Sequence, residues 1–143
     1  MAHRHVDIEP FDELSREELY EILGLRCEVF VVGQGITQEP EIDGRDPECE
    51  HAMLWEDGEL VGTARIFHRE EPIVVGRVAV ANQRQGSGLG TELMEAIQAH
   101  LGGRHTELHA QAHLEDWYTR LGWERVGDEF MEADIPHVMM RWT

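Results

Sequence analysis

The chain of 143 residues contains no lysine, so all 12 of its strongly basic side chains are arginines. That absence removes one function outright. A nucleotide P-loop ends in Gly-Lys-Ser/Thr, and there is no lysine to place there. Cysteine is nearly as scarce. Cys27 and Cys49 are far apart, in no metal-binding or redox spacing, and read as free thiols of a reducing compartment. No apolar run is long enough to span a membrane, and the N-terminus has no secretory hydrophobic segment. The expectation is a cytoplasmic protein without a membrane partner. Positive charge is the third shortage. Against 12 basic residues stand 29 acidic ones, a formal net charge of −17. A surface of that sign repels nucleic acid and anionic lipid. It fits a salt-adapted cytoplasm, because the Debye length is about 3 Å at 1 M salt and self-repulsion is then tolerable. It also means that acid near a pocket is not by itself evidence for a cationic substrate.

What is present is enough for a core. Hydrophobic residues make up 41% of the chain and recur with clear periodicity, which excludes low-complexity disorder. The length predicts one domain, residues 1–143. His3 to Glu9 alternates and reads as a strand ended by Pro10. Ser15 and Glu18 have the form of a capping box. Leu19, Ile22, Leu23, Arg26 and Phe30 then trace one helical stripe to about Val32. From Gly33 to Glu50 the composition turns to Gly, Pro, Asp and Glu, a long loop of the kind that usually carries function. His51–Glu56 and Glu59–His68 are strands joined at Asp57-Gly58, a type I′ hairpin signal.

The most informative stretch is Gly76 to Thr91. A strand over Ile73–Val80 turns through Asn82 and the glycines Gly86, Gly88 and Gly90. It leaves as a helix with Leu89, Leu93, Ile97 and Leu101 on one face. A strand feeding a glycine-rich loop and a helix start is a ready anion site, because the first helical amides have no intrahelical partner. A dinucleotide fold would place such glycines in the first of several βαβ units, and here antiparallel strands come first. A plain left-handed connector is the alternative reading. Gly102-Gly103 ends the helix. Thr106–Gln111 is the next strand, parallel to Ile73–Val80 because a helix connects them. Leu114, Trp117, Tyr118 and Leu121 face one side of a short helix, and Trp123–Met131 and Pro136–Trp142 form a last strand pair. His105, His109 and His113 straddle a strand and a helix start, so they do not converge as metal ligands. No metal is expected, and His113 reads as a cap of the short helix.

Gln83-Arg84-Gln85-Gly86-Ser87-Gly88 matches the Gln/Arg-x-x-Gly-x-Gly/Ala signature of the GNAT acetyltransferases, and the element order resembles theirs over nearly the whole chain. Leu25-Arg26, Val29-Phe30-Val31-Val32, Gln34, Glu41-Ile42-Asp43-Gly44-Arg45-Asp46, Gly76-Arg77-Val78, Ala110-Gln111-Ala112-His113-Leu114, Tyr118, Gly122 and Ile135-Pro136-His137 resemble the ElaA-type subfamily in particular. The chain departs at Gly33, where that subfamily tends to carry Glu, and around Ile36–Pro40, one residue longer. The resemblance implies an α/β fold, a mixed central sheet of about seven strands with helices on both faces. It implies transfer of acetyl from acetyl-CoA to a primary amine by direct attack in a ternary complex. The amides of Gln85, Gly86, Ser87, Gly88, Leu89 and Gly90 would cradle the pyrophosphate, with Gln83, Arg84 and Thr91 beside them. Val78, Ala79 and Val80 would pair with the pantetheine arm, and His113 would lie near the cofactor. Tyr118 would be the acid that protonates the leaving thiolate. For the base, Glu41 and His137 rank ahead of Asp43, His51 and His109. The amine acceptor is expected to be a small molecule. A protein or peptide amine, or a non-catalytic acyl-CoA-binding regulatory domain, stands as the alternative. The resemblance also admits a homodimer, with no interface evident in the sequence.

Overall fold

The computed structural model describes residues 3–84 and 86–143. Its centre is one seven-stranded sheet in the order β1-β2-β3-β4-β5-β7-β6. The strands are β1 (Arg4–Pro10), β2 (Glu50–Glu56), β3 (Glu59–Phe67), β4 (Ile73–Val80), β5 (Thr106–Gln111), β6 (Glu124–Glu132) and β7 (Ile135–Trp142). The helices are α1 (Arg16–Arg26), α2 (Leu89–Leu101) and α3 (Glu115–Arg120). Neighbouring strands run antiparallel except β4 and β5, which are parallel because α2 carries the chain back across the sheet.

Successive strand residues point to opposite faces, so a strand buried at every position is covered on both. β3 is buried from Leu60 to Phe67. Its covers are α1 and α2, both of which pack on it. Helices on both faces, as expected, therefore enclose the core. Gly62 sets how close α2 comes, since a Cβ there would lie 3.3 Å from Leu54 and 3.5 Å from Leu93. Leu89, Leu93, Met94, Ile97 and Leu101 of α2 are all buried, and Trp123 donates from Nε1 to Gln98 Oε1 at 2.9 Å to tie α2 to the start of β6.

Two local features depart from the single stripe and plain ladder that the sequence predicts. Ser15 and Glu18 do form the reciprocal capping box. The helix they start, however, changes to π geometry over Cys27–Gly33, which breaks the phase of the stripe and leaves Val32 exposed. In β4, the pairs Thr63–Ala79 and Arg65–Gly76 show two steps on β3 against three on β4. That one-residue bulge lies at Arg77, whose φ of +51° is in the left-handed region. Arg77 has a Cβ, so this conformation is strained and needs support from elsewhere. The loop after the π turn supplies it.

Candidate active site

The parallel ladder between β4 and β5 is short. It pairs Ile73 with Thr106, Val74 with Glu107 and Val75 with Leu108. β5 continues beside β7 as far as Gln111, opposite His137, while β4 continues beside β3 to Val80, opposite Gly62. The bulge at Arg77 bends β4 just where the two part. The sheet thus splits between its two parallel strands, and a cleft of about 880 Å³ occupies the split.

At one end of the cleft stands the glycine-rich turn. Gly86 and Gly88 have φ of +87° and +83°, and Gly88 precedes α2 without any side-chain cap. The amides of Leu89, Gly90 and Thr91 open the helix and have no carbonyl behind them in it. Gly86, Gly88, Gly90 and Thr91 all border the cleft. Gly90 also admits Trp117, since a Cβ would stand 3.2 Å from its ring, and Trp117 Nε1 donates to Thr91 Oγ1 at 3.2 Å. The fit to a bulky anion is therefore a matter of backbone: helix-start amides, small residues and a positive dipole end. Val78, Ala79 and Val80 line the wall beyond, as does His113. Gln85 lies outside the described residues.

Arg84 is placed differently from its expected role. Its guanidinium pairs with Glu56 and with Glu59, 3.0 Å from Glu59 Oε2, and borders a separate groove beside Tyr20 and Glu21. The structure does not bring that guanidinium into the cleft. Arg120, at the end of α3, does line the cleft, and the motif gave no reason to choose it. His113 is corrected as a helix cap. It sits within the turn Ala112–Leu114, exposed, and α3 starts after Leu114 without a side-chain cap.

Mid-cleft is Tyr118, 4% exposed and packed edge-on against Trp117 and Trp123. Among the described residues its hydroxyl has no hydrogen-bond partner. Burial pushes the phenol above its ordinary pKa, so it remains protonated throughout the neutral range.

The other end is formed by the loop after the π turn and by the tip of the β6–β7 hairpin. This loop is held by six charged side chains. Glu41 Oε2 accepts from Arg26 Nε at 2.7 Å and from Arg77 Nε at 2.8 Å, and the Glu41 carbonyl accepts from both guanidiniums. Asp43 takes a two-pronged bond from Arg65, and Asp46 Oδ1 accepts from Arg26 and Arg65. Arg26 is 1% exposed. The Arg65 hydrogen bonds hold the Asp43 carboxyl far below the usual carboxylate range, against the opposing effect of its burial. Burial would raise Asp46, but Arg26 and then Arg65 outweigh it and keep it low. So α1, β3 and the bulge of β4 grip one loop, and Arg77's strained backbone is anchored through Glu41.

Two amide bridges carry the loop across the split. Gln34 and Gln111 exchange hydrogen bonds, the shorter being 3.0 Å, and Gln38 donates to Asp134 Oδ2 at 2.8 Å. His109, Glu132 and His137 line the cleft at this end. His137 Nδ1 is 2.7 Å from the Ile135 carbonyl, and its Nε2 is 3.7 Å from Glu132 Oε2. His109 Nδ1 is 2.9 Å from Glu132 Oε1. His51, by contrast, is wholly buried, contacts the Asp46 carbonyl at 3.0 Å, has its pKa lowered by burial, and does not reach the cleft.

A mixed sheet split between parallel strands at a glycine-led helix start is the architecture of the acyl-CoA N-acyltransferases. Residues 13–143 match the family model described as Acetyltransferase (GNAT) domain, and the chain belongs to that family. It is 39% identical to protein ElaA of Escherichia coli over 137 residues, 90% of this chain and 89% of that one. The crystal structure of Escherichia coli ElaA superposes with a TM-score of 0.86, covering 97% of this chain and 99% of that one. An acyl-CoA N-acyltransferase from Pseudomonas aeruginosa is 38% identical, covers 97% and 99% of the two chains, and has a TM-score of 0.87. An aminoglycoside 6'-N-acetyltransferase solved with coenzyme A shares the fold, at 16% identity and a TM-score of 0.71 over 94% and 95% of the chains.

Proposed function

We propose that this protein is an acetyl-CoA-dependent N-acetyltransferase acting on a primary amine of a small molecule, by direct attack in a ternary complex. The observation that carries the reading is one continuous cleft with helix-start amides at one end and a polar chamber at the other, spanned by two side-chain bridges. A protein side chain on a folded surface needs an open groove. The Gln34–Gln111 and Gln38–Asp134 bridges favour a free small amine instead.

Bound acetyl-CoA supplies a thioester whose carbonyl carbon accepts the amine nitrogen, so that a C–N bond forms, the C–S bond breaks and the thiol leaves. The amides of Leu89, Gly90 and Thr91 hold the pyrophosphate, and the diverging edge of β4 at Val78 aligns the arm. Tyr118 donates its hydroxyl proton to the sulfur. The amine nitrogen sheds a proton as it becomes an amide, which restores the phenol. A phenol kept neutral by burial is suited to donating. Glu41 is engaged by two guanidiniums, so its part is to hold the loop and the bulge. His137, whose ring edge faces the chamber, is the base.

Titration calorimetry of acetyl-CoA into the protein in molar KCl tests the reading. Micromolar binding that disappears in Gly88→Glu is the expected result, since a carboxylate would then stand at the helix start. Folded protein that binds no acetyl-CoA would remove both the transferase reading and the acyl-CoA-binding alternative.

A further inference from the structure

His109, Glu132 and His137 come from three different strands, and each ring faces one oxygen of the same carboxylate. Building on the transferase reading, we propose that this cluster is the station that receives the acceptor as an ammonium ion and discharges it. Glu132 docks the ammonium, His137 Nε2 takes its proton, and His109 is the positioning residue that keeps Glu132 in place.

One nitrogen of each ring is already engaged. A backbone carbonyl only accepts, so the 2.7 Å contact to Ile135 requires the proton of His137 to be on Nδ1. In the neutral ring the lone pair is then on Nε2, the atom that faces Glu132 at 3.7 Å. That separation is too long for a direct hydrogen bond and wide enough for a group inserted beside both. His109 likewise presents Nδ1 to Glu132 Oε1 at 2.9 Å, and a carboxylate requires a donor there. Phe130 stacks on His137 and meets His109 edge-on, fixing both rings. His137 is nearly buried, whereas Glu132 reaches solvent, so a proton has a short route out. The other acids lining the cleft are Glu39 and Asp116, together with Glu41, whose Oε2 is taken by Arg26 and Arg77.

An alkyl amine has a pKa near that of lysine, about 10.4, and arrives protonated at neutral pH. In the step, one N–H bond of the ammonium breaks, its electron pair stays on nitrogen, and the proton forms a bond to Nε2. His137 becomes imidazolium beside the Glu132 carboxylate, and the amine is left neutral for attack on the thioester. No other reactant is consumed.

Two measurements test this. Nitrogen-15 NMR of the histidine side chains in the wild-type protein should show His137 and His109 as Nδ1–H tautomers. A neutral His137 protonated on Nε2 would overturn the proposal without any substrate. In the second, acetyl-CoA binding and thiol release are measured with a panel of small primary amines, butylamine and 1,4-diaminobutane among them. Proton abstraction by a placed base accounts for about 100-fold or more in rate, so His137→Gln should lower kcat/KM by that order while acetyl-CoA affinity holds. Glu132→Gln should raise KM for the amine and shift the pH profile, and His109→Gln should do so more weakly. Unchanged kcat/KM in Glu132→Gln or His137→Gln, with acetyl-CoA still bound, overturns the station and leaves the transferase reading intact. Loss of acetyl-CoA binding in the wild type would instead remove the reading beneath it.

Discussion

Replacing Glu41 by glutamine separates two roles for one residue. Glu41 Oε2 is shared by Arg26 Nε and Arg77 Nε at 2.7 and 2.8 Å. Gln keeps the shape and one carbonyl oxygen but removes the charge, and its NH₂ group would face guanidinium donors if turned the wrong way. Breaking a buried ion pair costs about 3–5 kcal/mol when one charge is left uncompensated. Here Arg26 retains Asp46 at 2.7 Å and the Glu41 carbonyl at 3.1 Å, so its charge is not abandoned. A loss of about 2–3 kcal/mol follows, between one charge-assisted hydrogen bond and the full uncompensated value. For a chain of this size that is a fall of roughly 6–12 °C in Tm, at about 3–4 °C per kcal/mol. The assay is thermal unfolding by circular dichroism, paired with acetyl-CoA calorimetry below the transition. Acetyl-CoA binding should persist, because the helix-start amides lie at the far end of the cleft. A Tm within a degree of wild type would refute the claim that this carboxylate holds loop, α1 and bulge together. If turnover nevertheless collapsed at unchanged Tm, Glu41 would be the base after all.

Tyr118→Phe should fold normally, since no hydrogen bond within the described residues is lost, and should bind acetyl-CoA while turning over about 100-fold more slowly; full turnover would dismiss the phenol as acid. Asp43 and Asp46 have folded pKa values below their unfolded ones, so their stabilisation is complete above an unfolded carboxylate's roughly 3.9 and is lost as pH falls through the folded values. Urea unfolding should therefore show stability dropping below about pH 4, and Asp43→Asn should flatten that drop. With a net charge of −17, Tm should rise between low and molar KCl, and a flat response would count against salt adaptation.

Much of the architecture was readable from local pattern. Ser15 and Glu18 cap α1, and the fourfold spacing of Leu89, Leu93, Ile97 and Leu101 marks the buried face of α2. Asp57-Gly58, with φ of +51° and +83°, turns the hairpin it signals. These signals are short-range: caps, turns and periodicity are settled within a few residues of each other. The glycine turn that starts α2 belongs to the same class, which is why that end of the cleft was legible and the end at the β6–β7 hairpin was not.

Ion pairing is decided at long range, and there the sequence left several partners open for each charge. Arg84 stood in the phosphate motif, yet its guanidinium is held by Glu56 and Glu59 of the β2–β3 hairpin. Glu41 was an open-loop acid until α1 and β4 brought Arg26 and Arg77 to it. Glu132 carried no signal on an acidic strand, and becomes part of a site only because β5, β6 and β7 pair in a register that sets it between His109 and His137. By itself the sequence determined the elements, their order, the glycine turn and the acidic, lysine-free composition, because each depends on neighbours along the chain. Which charges meet, where β4 leaves β5, and which ring nitrogens face the chamber were decided only by the folded sheet, because those contacts join residues tens of positions apart.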